Sequence, residues 1–116
     1  AGLSGAGLAG ADLSATNLSR ADLGRADLSG AILNQSMLTE ADLRGANLRR
    51  AKLLGAGLHG ANLQGADLRE SYLAEADLTR ADLEGADLRG ARYNRYTSWP
   101  VGFDPRAAGA ILDLSS

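Results

Sequence analysis

The chain has 116 residues with 12 basic and 14 acidic side chains, a net charge of -2, 15 glycines and no cysteine. That charge balance argues against electrostatically driven binding to nucleic acid or to an acidic membrane, and the missing thiols exclude disulfides and thiolate chemistry. Only 4% of the residues are aromatic against 45% apolar, so a single domain must build its core from small and aliphatic side chains. No apolar run approaches the roughly 18 residues that a membrane span needs. The sequence begins at Ala1 rather than Met, as trimming or processing would leave it. Because a removed targeting segment would be invisible, the compartment is open between the cytoplasm and, after such removal, a periplasm or thylakoid lumen.

From its first residues the chain is a repeat. Leu occupies every fifth position from Leu3 to Leu88, 18 sites out of 18, and two residues before each lies a small side chain. From Ala1 to Ala91 that small residue is Ala at 16 of 19 sites, the others being Thr16, Ser36 and Ser71. A period of five excludes an amphipathic helix, because five residues turn the leucines all round the axis. It excludes a flat sheet too, since an odd period sends alternate leucines to opposite faces. A chain that turns a corner every five residues survives both tests, with Ala and Leu inside and the other three residues outside.

Units such as Ala21-Asp22-Leu23-Gly24-Arg25 and Ala86-Asp87-Leu88-Arg89-Gly90 resemble those of the pentapeptide repeat family, and the resemblance runs over residues 1–95. It implies an all-β solenoid, a right-handed quadrilateral β-helix with four units per coil and nearly five coils. At about 4.8 Å between stacked strands the coils would span on the order of 23 Å. Residues 20 apart should then stack, and Arg20 with Glu40, Arg50 with Glu70 and Glu75 with Arg95 are opposite in sign. Gly fills the fifth position in 9 of 19 units, as expected where a type II corner needs positive φ. Units with Arg, Glu, Gln or Ala there are expected to use a different turn. Eighteen stacked leucines beside alanines leave no room inside for a ligand, so no cofactor is expected.

Residues 96–116 read as a separate cap on the 1–95 repeat. Terminal coils of a solenoid expose core leucines and strand edges unless something covers them. Asp104-Pro105 predicts a short α-helix over about 105–113, with Asp as N-cap and Pro at N1, presenting Ala108, Ile111 and Leu112 on one side. The stretch from Trp99 to Pro105 resembles the tails of cyanobacterial pentapeptide repeat proteins. No cap precedes Ala1, so the coil from Ala1 to Leu18 is expected to offer its edge to a mate, giving a weak homodimer.

Catalytic groups are sparse. His59 is the only histidine, faces outward and has no partner at metal-ligand spacing, which reads as a hydrogen-bonded surface side chain. Ser4, Ser14, Ser19, Ser29 and Ser36 have no adjacent base and no nucleophile-elbow motif. The Asp and Asn residues before the leucines read as groups that hydrogen-bond backbone near corners, not as metal ligands. No enzyme activity, metal or nucleic-acid partner is expected.

One wall departs from the Asp/Asn rule. It carries Ile32, Lys52, Tyr72 and Arg92, with Leu54 and Ala74 on the same side and Met37 around the corner. Apolar and aromatic residues rimmed by cations make this the candidate partner face. The function read from the sequence is a non-enzymatic protein-interaction or scaffold module. The alternative is a mimic of duplex DNA that binds a topoisomerase such as gyrase, as some members of the family do. Such mimicry needs a dense negative field, which a net charge of -2 and the Arg49, Arg69 and Arg89 ladder beside Asp67 and Asp87 oppose.

Overall fold

A computed structural model of the chain describes residues 2–114. Ala1, counted above as the first small residue of the repeat, and the last two residues of the 96–116 segment lie outside the described residues.

Every fifth residue the backbone turns, and four parallel bridge ladders run along the resulting walls. Gly2, Asp22, Asp42, Asn62 and Asp82 form one ladder; Gly7, Asp27, Asn47, Asp67 and Asp87 form the next. The third is Asp12, Ile32, Lys52, Tyr72 and Arg92, and the fourth is Asn17, Met37, Gly57, Asp77 and Ser98. Partners on a ladder are 20 residues apart except at its last step from Asp77 to Ser98. The coil therefore has four walls and twenty residues. The inward leucines at every fifth position from Leu23 to Leu78 are all buried, with the alanines between them. Each corner is closed by a bond from the small residue's N–H to the preceding leucine carbonyl, as in Ala51 to Leu48 at 3.0 Å.

The corners are more uniform than the sequence suggests. Arg20, Arg25, Gln35, Glu40, Arg50, Glu70, Glu75, Arg80 and Ala15 all take positive φ, between 55 and 62°, alongside glycines such as Gly65 at 65–75°. Non-glycine units use the same type II geometry and not a different turn. The stacking of every corner on its neighbours fixes that geometry, and left-handed φ costs an L-residue roughly 1–2 kcal/mol. Long side chains recover part of it: Arg20 pairs with Glu40 at 3.3 Å and Arg50 with Glu70 at 3.1 Å. Ala15 has no such contact to lose. Ala15→Gly is therefore expected to raise stability by about 0.5–1 kcal/mol in chemical denaturation, relief of strain exceeding the added chain entropy.

The third expected charge pair does not form. One extra residue enters the corner after Tyr93, so Ser98 stands where the period would place residue 97. Arg95 is displaced and lies over the Tyr96 ring, 4.9 Å from its centroid. Asn94 and Thr97 are buried there and satisfy the interrupted ladder. The Asn94 Oδ1 accepts the Glu75 and Tyr96 N–H groups at 3.0 Å each, and the Thr97 hydroxyl donates to the Leu73 carbonyl at 2.8 Å.

No α-helix caps this end among the described residues, contrary to the expectation for 105–113. The start signal is real, since Asp104 Oδ1 accepts the Arg106 and Ala107 N–H groups at 3.1 and 3.2 Å. Only turns follow, and Gly109 at a φ of 88° ends them. The chain then forms a strand. β1 (Arg92–Tyr93) and β2 (Ile111–Leu112) pair in parallel, Arg92 opposite Ile111 and Tyr93 opposite Leu112. A free-standing helix of two turns is marginal in water, whereas a strand here supplies donors to an open edge: the Ile111 N–H to Ala91 O at 2.7 Å and the Asp113 N–H to Tyr93 O at 2.6 Å. Trp99 packs edge-on against Tyr93 at 5.4 Å and stacks on Phe103 at 5.2 Å.

Leu3, Leu8, Leu13 and Leu18 are only partly buried. In later coils the residue before each leucine donates its N–H to a carbonyl of the coil before, as Asp27 does to Ala6; Gly7, Asp12 and Asn17 make no such bond among the described residues.

Candidate functional site

The outward Asp and Asn residues are corner hardware. From Asp12 to Asp87 their Oδ1 atoms accept the N–H two residues on, as in Asn47 to Arg49 and Asp82 to Glu84 at 3.1 and 3.0 Å. Where an arginine occupies that second position it also grips the carboxylate, Arg44 on Asp42, Arg69 on Asp67 and Arg89 on Asp87, each through Nε and an Nη. Cross-coil contacts of Arg49 to Asp67 and Arg69 to Asp87, at 3.8 and 3.7 Å, join the Asp67 and Asp87 pairs into one alternating ladder, while the Arg44–Asp42 pair stands on the neighbouring wall. The hydrogen bond from Arg89, with the nearby Arg69 charge adding to it, holds the Asp87 carboxyl down at about 2. Asp67 and Asp42 are lowered in the same way by Arg69 and Arg44. On two walls, then, most of the acidity is spent on neighbouring guanidinium groups and backbone.

His59 is hydrogen-bonded at the surface, Nδ1 to Thr79 Oγ1 at 2.7 Å. Thr79 in turn donates its proton to Asp77 at 2.6 Å, which lowers the Asp77 pKa. This order is opposite to that of an activated nucleophile, whose hydroxyl proton must point at the base. Among the described residues no three His, Asp or Glu side chains come together to hold a metal, and no helix is long and apolar enough to cross a membrane.

The third wall differs from the others in chemistry. Lys52, Leu54, Tyr72 and Arg92 line one groove of about 420 Å³, with Asn34, Arg50 and Glu70 completing it. Tyr72 is 38% exposed, Lys52 and Arg92 are exposed, and Leu54 and Ile32 are half-buried. Met37 is 48% exposed on the fourth ladder, outside the groove. Ala74 is not part of the exposed face: it is 5% exposed, beside Glu75, whose N–H donates to Asn94 Oδ1. Arg50 and Glu70 join the groove from the corner position two after leucine, beyond the flanking positions expected from the sequence. Alternation along the wall puts 50, 52 and 54 on the same outer side, which was the available signal. Asn34 has a structural duty as well. Lys52 cannot act as an Asx acceptor, so Asn34 Oδ1 takes the Leu54 N–H at 3.0 Å from the coil before.

With this geometry in hand, comparison with known proteins is informative. A family model for pentapeptide repeats matches residues 1–35, 16–55, 33–65 and 56–92. The chain belongs to the pentapeptide repeat family. Its members fold as right-handed quadrilateral β-helices and are generally structural or binding modules. The crystal structure of alr5209, a pentapeptide repeat protein from Nostoc PCC 7120, is 42% identical, covers 88% of this chain and 84% of its own, and superposes with a TM-score of 0.87. Rfr23, a pentapeptide repeat protein from the cyanobacterium Cyanothece 51142, is also 42% identical, over 77% of this chain and 64% of its own, with a TM-score of 0.52. No curated protein matches in sequence. The cyanobacterial resemblance of this pentapeptide repeat chain thus holds, whereas a helical cap does not.

Proposed function

We propose that this pentapeptide repeat protein is a non-enzymatic interaction or scaffold module whose partner is a protein and whose contact face is the wall of Ile32, Lys52, Leu54, Tyr72 and Arg92. The observation that carries this reading is the groove itself. On a rod whose other outward groups are largely committed to corners and ion pairs, it alone combines an exposed ring, a leucine and two cations that make no ion pair among the described residues. Protein interfaces favour this mixture of aromatic and apolar centre with basic rim. Replacing Ile32, Leu54 and Tyr72 by Asp is expected to leave the β-circular dichroism unchanged while abolishing capture of the native partner. Retained capture by the folded triple variant removes the wall as the interface.

The topoisomerase reading has less support. Duplex DNA presents about one negative charge per 1.7 Å, whereas Arg44, Arg69 and Arg89 chelate the carboxylates that would supply it here. A gyrase supercoiling assay with no effect at micromolar protein is the expected result, and inhibition or quinolone protection would restore that reading.

A further inference from the structure

The third wall, whose ladder starts at Asp12, has a sixth rung from outside the repeat. Ile111, 45% exposed, pairs with Arg92 and extends the ladder that runs Ile32, Lys52, Tyr72, Arg92. From Ile32 onward, beyond the acidic Asp12 rung, successive rungs read apolar, cation, apolar, cation, apolar. Lys52 and Arg92 make no ion pair among the described residues, whereas six of the other ten arginines do. A carboxylate is already accommodated on this wall, for Asp113 Oδ2 lies 3.5 Å from the Tyr72 hydroxyl. Stacked rungs are about 4.8 Å apart, and an α-helix rises about 5.4 Å per turn. A helix laid along the rod axis would present one side chain per rung, drifting by only about 2.4 Å over four intervals. An extended strand in that direction repeats each face at about 6.6 Å and loses step after one rung.

Resting on the interaction-module reading above, we propose that this wall docks an acidic amphipathic α-helix of the partner protein. The helix lies along the rod axis. Carboxylates on alternate turns meet Lys52 and Arg92, and the turns between them set apolar side chains against Tyr72 and Leu54 and on the Ile32 and Ile111 rungs. Neither an all-apolar helix nor a basic one satisfies both kinds of rung.

The test uses the intact protein and a fluorescein-labelled synthetic helix with Leu and Glu alternating at successive turns of one face. A scrambled peptide of the same composition and a version with Lys in place of Glu serve as comparisons. Anisotropy titration at low salt is expected to give saturable binding of the ordered acidic peptide, and roughly tenfold weaker binding of the scrambled one. Lys52→Glu with Arg92→Glu should weaken the acidic peptide by a similar factor and gain binding of the Lys peptide. The neutral pair Lys52→Gln with Arg92→Gln, which adds no new charge to the wall, should fall between. Equal binding of ordered and scrambled peptides, indifference to both double variants, or no saturable binding would overturn the proposal. If it fails while the Ile32, Leu54 and Tyr72 triple variant still loses its native partner, the wall is an interface for other chemistry. If both fail, the interaction reading falls with it.

Discussion

Removing residues 96–116 is expected to convert a well-folded chain into a marginal, aggregating one. The segment covers Leu88, Ala91 and Tyr93, which are 1%, 0% and 7% exposed in the intact chain, and supplies the β2 rung that occupies the Ala91 and Tyr93 carbonyls. Re-exposing the Leu88 and Tyr93 side chains removes about 3–6 kcal/mol of burial. That is a large share of the roughly 5–15 kcal/mol that holds a domain folded. The freed edge is also a template for pairing with another chain. Thermal unfolding and size exclusion of the truncated protein check this; a truncated chain as heat-resistant as the parent and eluting no earlier would show that the last coil needs no cover.

The second large effect lies in the leucine stack. Leu53 is completely buried, with leucines stacked one coil before and after it, and Leu53→Ala should cost about 2–5 kcal/mol because neighbouring corners are bonded in place and cannot collapse into the cavity. Leu8→Ala, at the partly exposed first coil, should cost roughly 1 kcal/mol. Urea denaturation of the two variants measures the gradient. Equal costs would mean that the end coil is as tightly packed as the middle.

The coil was legible because Leu at every fifth position and Ala two before it permit one way of turning, and the 20-residue stacking of Arg20 on Glu40 and Arg50 on Glu70 followed from counting. The corners at Arg25 or Glu75 were not legible. A residue's own preference disfavours left-handed φ there, and only the stacked corners above and below override it. The segment after Asp104 has a proper helix start, yet the unsatisfied carbonyls of Ala91 and Tyr93, a tertiary feature, draw Ile111 and Leu112 into a strand. For the same reason the wall was read one rung short. Lys52, Leu54, Tyr72 and Arg92 were visible as departures from the Asp/Asn rule, while Ile111 belongs to the wall only through the pairing of β2. The burial of Ala74 has no local signature in its own unit.

Four ladders of twenty-residue step have a consequence for how such a chain can lengthen in evolution. Duplicating a single pentapeptide keeps every leucine inside, so the fold survives, but it rotates everything downstream by a quarter turn. The acidic ladder would then continue into the Tyr72 wall, and cations such as Lys52 would lose the neighbours that give them meaning. Only gain or loss of a whole coil preserves what each wall displays. Folding thus tolerates growth in units of five residues, while a surface once selected for recognition can be inherited only in units of twenty.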